Sequence, residues 1–139
     1  MSFAVEKTIA CAPADAFDKM ADARNETAWN SEVSRSELRS GEPIEQGSRF
    51  LTVNRGKEYD ATIAAYERPR LLVFEVTGKQ MDVTARFTFA PAGEGTSFAG
   101  EFDMRPKGGT KLAFPLLKPL ITKDLDKQSQ SFKEFCESS

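Results

Sequence analysis

Glu75 stands inside an apolar run, Leu71-Leu72-Val73-Phe74-Glu75-Val76. A carboxyl group in that setting has two readings. Buried, it would keep its proton to higher pH and could serve as a general acid or base. Turned to the wet side of a strand, it is ordinary solvated charge, and this is the plainer reading. Tyr59 and Tyr66 flank a neighbouring segment and offer two phenols. Trp29, the sole tryptophan, either stacks on a ligand at a cavity mouth or plugs the core beneath the early helices; the plug is the plainer reading. The chain has no histidine. That removes Ser-His-Asp and Cys-His arrangements, His-ligated zinc and an imidazole base. Proton transfer would fall to Asp, Glu, Lys, Tyr, a thiol or water polarised by Arg. Cys11 and Cys136 match no metal-ligand spacing, and are expected to be reduced thiols packed as small hydrophobes. The Gly-Glu-Gly and Gly-Thr-Lys-Leu segments are too short and wrongly placed to cradle a phosphate. No metal and no cofactor is expected.

These residues must be held by the elements around them. Phe3 to Ala10 alternates well enough for a strand. Pro13 suits the first turn of a helix, where a missing N–H costs nothing, and Ala16, Phe17 and Met20 share a face, so a short helix is expected over Pro13 to Ala21. The next ten residues read as a loop or second short helix ending near Trp29. Six strands then follow between Val33 and Met104, separated by turns at Gly41-Glu42-Pro43, Arg55-Gly56-Lys57, Arg68-Pro69-Arg70, Gly78-Lys79-Gln80 and Ala90 to Gly95. The clearest alternation sets Met81, Val83, Ala85, Phe87 and Phe89 on one face, and Phe98, Gly100, Phe102 and Met104 on one face of the last strand. Strict alternation means one covered face and one wet face of an antiparallel meander. Small residues on covered faces, Ala61, Ala65, Ala85 and Gly100, would leave space or permit close packing. Val33 to Ser40 is polar on both sides and reads as an edge strand. Glu37 with Arg35 and Arg39, and Asp82 with Arg86, are expected surface charge pairs.

From Leu112 the period changes to that of a helix. Leu117, Ile121, Leu125, Gln128, Phe132 and Phe135 form a stripe expected to meet the sheet. Pro115 and Pro119 imply that the helix begins near Pro119 or kinks there. Its lysine-rich flank has two readings, contact with a membrane surface or a mixed-charge solvated face; the lysines alternate with Asp124, Asp126 and Glu134, so the solvated face is the plainer reading.

At 139 residues, with 40% hydrophobic and 29% charged residues and a net charge of −2, a single domain over 1–139 is expected. A chain of this size can bury roughly 68% of its unfolded surface. Nothing forms a basic stripe, so nucleic acid is not an expected partner. No apolar run is long enough to span a bilayer, so stable membrane insertion is not expected. The opening residues lack the basic and apolar regions of a secretory signal, and a cytoplasmic location is expected.

The element order, with Val5 to Asp22 at the start, Trp29-Asn30, Gly41-Glu42-Pro43, Gly47 to Phe50, Tyr66 to Val76, Gly95 to Met104 and the closing helix, resembles the START/Bet v1-like superfamily, in particular its polyketide cyclase/dehydrase and lipid-transport-like group. The resemblance covers nearly the whole chain. It implies an α+β helix-grip fold: a curved antiparallel seven-stranded sheet wrapped around a long C-terminal helix, with two short helices after strand 1. It also implies a hydrophobic small molecule, lipid- or polyketide-like, held between sheet and helix. Trp29, Tyr59, Ile63, Phe74, Phe87, Phe102, Met104, Leu117, Ile121 and Leu125 are the candidate cavity residues. Members include carriers, cyclases and co-chaperones without a universal catalytic motif. A carrier is therefore the first expectation. A cyclase/dehydrase-type enzyme using a cavity Tyr, Glu or Arg is the second, and a protein-interaction module the third. The resemblance leaves the oligomeric state open.

Overall fold

The computed structural model describes residues 1–138. The first strand, β1 (Ser2–Ile9), ends where Cys11, Ala12 and Pro13 turn the chain into α1 (Pro13–Ala21). Pro13 occupies the first turn of this helix and Asp15 lies beside its N-terminus, as proline geometry and the helix dipole favour. A short 3-10 turn (Ala23–Asn25), its first N–H groups served by Asp22, leads into the single turn of α2 (Glu26–Trp29). Six strands follow: β2 (Val33–Leu38), β3 (Arg49–Asn54), β4 (Lys57–Glu67), β5 (Leu71–Gly78), β6 (Met81–Ala92) and β7 (Gly95–Pro106). The closing helix is α3 (Thr110–Glu137).

The strands form one curved antiparallel sheet in the order β1-β7-β6-β5-β4-β3-β2. Every neighbour is a sequence neighbour except one: β1 pairs with β7, Ser2 standing opposite Asp103 and Ile9 opposite Thr96. The helix-grip architecture expected from the sequence is the one observed. Several strands run longer than alternation suggested, because the β6–β7 ladder continues past Phe89 to Ala92 opposite Gly95.

The concave face is aromatic. Phe87 stacks on Phe98 at 5.8 Å between centroids, and Phe102 meets the edge of Phe87 at 5.7 Å. Gly100 makes this crowding possible, since a Cβ there would come within 3.0 Å of Val5 and 3.3 Å of Phe102. At one end of the sheet α1 delivers Phe17 between Phe89 and Tyr66. From the other side α3 delivers Phe132, which touches Phe98 and Trp29, each at 5.3 Å. Cys11 and Cys136, at opposite ends of the sequence, share a hydrogen bond where β1 ends and α3 closes, and burial pushes the Cys136 thiol up to about 12.

Three expectations are corrected. First, α3 does not begin near Pro119: of the two readings left open, it is the helix that runs through, continuous from Thr110 with both prolines inside it. Each proline removes one helical N–H, and the buried ring of Phe114, the residue before Pro115, anchors the early segment. Second, Leu117 does not face the sheet and is 39% exposed. At 100° per residue it lies about 60° round the helix from the line joining Phe114 and Phe132. Third, Asp82 pairs with Lys107 at 2.8 Å rather than with Arg86. Residues four apart on a strand are about 13 Å apart, too far for an ion pair. The pairs of Glu37 with Arg35 and Arg39 do form, at 2.9 and 3.2 Å, on the edge strand β2.

Phe132 is fully buried, and truncating a ring in such a site costs about 3–5 kcal/mol. Urea denaturation of Phe132→Ala should show a loss of that size, whereas Leu112→Ala, on the exposed start of the same helix, should stay within about 0.5 kcal/mol of the parent.

Candidate functional site

Phe132 fills one part of the space between sheet and helix. Beyond it lies a cavity of about 360 Å³. Its floor is the concave face of the sheet, where Phe74, Phe87, Phe102 and Met104 present apolar surface, and Ala61 and Ala85 are short enough to leave depth. Its roof is Ile121 and Leu125 of α3, and Trp29 of α2 closes a side. Tyr59 borders it too. The ring of Tyr59 lies against Gly78, its cross-strand partner, where a Cβ would approach to 2.6 Å. Eight of the ten residues singled out from the sequence therefore line one hollow. Ile63 and Leu117 do not: Ile63 is wholly buried in the core and Leu117 looks outward. Glu75 takes its plainer reading. It lies on the opposite, wet face, accepting hydrogen bonds from Thr84 Oγ1 at 2.8 and 2.9 Å and standing 3.5 Å from Arg105.

The polar groups of the cavity cluster toward α2 and the start of β4. Arg55 reaches both Glu32 and Asp124 at 3.2 Å, tying the β3–β4 turn to α3. Asp124 also accepts from Gln128 Nε2 at 2.9 Å. Asn30 is buried, and its Oδ1 accepts the Glu32 N–H at 3.0 Å. Trp29 Nε1 and the Glu26 carboxyl group are unspent. Trp29 Nε1 is buried and has no acceptor. The carboxyl group of Glu26, which borders the cavity, has no hydrogen-bond or ion-pair partner among the described residues. Glu26 is half-buried; the protein packed around it displaces much of its water without offering a counter-charge, and this desolvation pushes its carboxyl up to about 7.

Reasoning from sequence missed Glu26, because it sits in a polar stretch whose reading, a loop or a second short helix, gave no sign of which side chains turn inward. The usable signal was its spacing: a helical turn that delivers Trp29 to the cavity also delivers the residue three before it. Among the described residues no group of three carboxylate or thiol side chains is arranged to hold a metal ion.

A curved sheet gripping a long helix over an apolar hollow is the helix-grip architecture. The profile of the polyketide cyclase / dehydrase and lipid transport family matches residues 1–137. The chain belongs to that family. No curated protein sequence matches it. Among solved structures, a START superfamily protein from Mycobacterium smegmatis superposes with a TM-score of 0.80 at 14% identity, over 99% of this chain and 97% of that one. TTHA0849 from Thermus thermophilus does so with a TM-score of 0.75 at 17% identity, over 98% and 97%. The di-domain ARO/CYC BexL from the BE-7585A biosynthetic pathway matches with a TM-score of 0.71 at 18% identity, over 99% of this chain and 49% of BexL. At these identities the likeness is one of fold.

The raised Glu26 carboxyl has a consequence for stability. The unfolded chain releases this proton near its ordinary value of 4.5, the folded one near 7. Between those values the native state holds more protons than the unfolded state, so this group's contribution falls as pH rises through that window and levels off above it. Glu26→Gln removes the effect. The variant should be more stable than the parent at pH 8 and gain less at pH 4.5, as read by urea denaturation. A ¹³C-glutamate NMR titration should show one carboxyl titrating near 7 that is missing from the variant.

Proposed function

We propose that this protein binds a hydrophobic small molecule, lipid- or polyketide-like, in the cavity between the sheet and α3, as a carrier in the cytoplasm. The observation that carries the reading is the cavity itself: about 360 Å³, walled by aromatic and aliphatic side chains, in the space where a fully covered sheet would have a filled core. Small-molecule sites are hollows of about 300–1,000 Å³ of this character. Burying a ligand there would yield about 25 cal/mol per Å² of apolar surface. Glu26 and Trp29 Nε1 supply polarity at one end, which favours a ligand with a single polar group at one extremity.

The Glu26 carboxyl also favours a second reading. A carboxyl group that titrates near 7 in an apolar hollow is matched to proton transfer at neutral pH. In a cyclase/dehydrase-type reaction it would take or give the proton, with Tyr59, which also borders the cavity, as a second hydroxyl donor.

Two variants separate these readings. Ala85→Leu fills the cavity floor and should weaken binding of medium-chain fatty alcohols and flat polycyclic aromatics at least about tenfold in a fluorescence competition assay, with the melting temperature held within a few degrees. If no member of such a panel binds the parent protein, the carrier reading fails. Glu26→Gln should leave apolar binding within about tenfold of the parent. If the protein is an enzyme, the same variant should lose about 10²–10⁴ in turnover.

A further inference from the structure

The two cysteines of the chain meet, although they stand near its opposite ends. Cys11 lies between β1 and α1, Cys136 lies in the last turn of α3, and their thiols are in hydrogen-bonding contact. The segments that carry them are tied together by other bonds. The Ala10 N–H donates to Glu137 Oε2 at 2.8 Å, and Lys133 Nζ donates to the Thr8 carbonyl at 2.7 Å. Lys133 and Glu137 join each other at 2.7 Å. From β7, Thr96 Oγ1 donates to the Cys11 carbonyl at 2.7 Å, and Gly95 passes so close that a Cβ there would come within 2.5 Å of the Ile9 carbonyl oxygen. The thiols are thus held against each other by a frame that does not depend on them.

The two differ in access. Cys11 is half-buried and within reach of solvent, whereas Cys136 is 2% exposed. Burial raises both thiols, and their contact separates them: it eases the loss of the Cys11 proton and hinders that of Cys136. The charged groups around them are Lys19 and Asp15 of α1 and Glu137 of α3. Cys11 is therefore the thiol that a reagent meets and the one that ionises first, with Cys136 directly behind it.

We propose that Cys11 and Cys136 are a redox-responsive pair, which a small organic disulfide oxidises to an internal disulfide that staples the end of β1 to the last turn of α3. The Cys11 thiolate attacks one sulfur of the oxidant. The oxidant's S–S bond breaks, half of it stays on Cys11 as a mixed disulfide, and the other half leaves and takes up the proton that Cys11 lost. Cys136 then gives up its proton and attacks the Cys11 sulfur, and the second half leaves with that proton. Two protein thiols are oxidised by two electrons, and one small disulfide is reduced to two thiols. The two sulfurs need only close from hydrogen-bonding contact to about 2.05 Å. Where the glutathione pool is kept reduced, the pair stays as thiols, and it closes under oxidation. The new bond encloses most of the chain in one loop, and long loops gain most because the unfolded state loses most freedom. The pair is distinct from the cavity, and the proposal stands whether or not the cavity takes the ligand proposed above.

The test is incubation of the purified, reduced protein with oxidised glutathione in mildly alkaline buffer, where more of the Cys11 thiol is ionised. Intact mass spectrometry should show a monomer lighter by two hydrogen atoms, and a digest without reductant should join the peptide carrying Cys11 to the one carrying Cys136. The oxidised protein should melt about 5–15 °C above the reduced one, and dithiothreitol should reverse both changes. Cys136→Ala should stop at a glutathione adduct on Cys11. Cys11→Ser should take up no glutathione while folded, because Cys136 is out of reach. Neither variant should gain in melting temperature. The proposal is overturned if the parent does not react, if it ends as a glutathione adduct without the internal link, if the link joins two chains or forms only in urea, or if the oxidised protein melts no higher than the reduced one.

Discussion

The packing of Phe132 against Phe98 and Trp29 organises the rest of the molecule. A twisted seven-stranded sheet must cover its apolar face, and one helix is too narrow to do so along its whole length. The Phe132 wedge settles where the cover is complete. On its side, α1, the end of β1 and the last turns of α3 meet in a dense core containing Phe17, Phe89 and Cys136. On the other side the sheet curves away from the helix and the hollow remains. Because Trp29 leans on the same ring, the wedge also fixes α2, and through α2 the position of Glu26. The cavity and its one unpaired carboxyl group are consequences of where a single phenylalanine enters.

Much of this was legible in the residues. Period-two alternation in β6 and β7 identified the inward faces, and the sequence placed α1 with the boundaries observed, because Pro13 and the Ala16, Phe17 and Met20 spacing agree. Alternation could not tell how far a hairpin ladder extends past its apolar residues, since hydrogen bonds between backbones do not require apolar side chains. The residues left open whether α3 runs through Pro115 and Pro119 or begins after them, because a proline's cost is local while the hold of Phe114 is tertiary. Leu117 was misassigned for a related reason. A stripe drawn at threes and fours can follow either of two faces when both are apolar, and composition alone does not say which one meets the sheet. Glu26 escaped because a polar residue in a polar stretch carries no mark of burial.

The charged groups divide by their setting. On the wet face of the sheet, Arg105 joins Asp103 and Glu75, and Lys107 joins Asp82, all at sites open to solvent. Exposed pairs of this kind contribute about 0–1 kcal/mol each. Arg55 differs in function rather than in strength: by reaching Glu32 and Asp124 it spans from the β3–β4 turn to the helix across the edge of the cavity. Displacing it would free the cavity rim without disturbing the core.

The pairing of β1 with β7 governs the order in which the chain can fold. Ser2 to Ile9 find their hydrogen-bonding partners only in Thr96 to Asp103. Phe3, Val5 and Ile9, buried in the finished molecule, must stay uncovered while β2 to β6 assemble as local hairpins. During synthesis β1 leaves the ribosome before the other strands of the sheet yet is among the last to be paired, and α3, which packs over β1, seals that closure. Such long-range closure slows folding and prolongs the exposure of an unpaired strand.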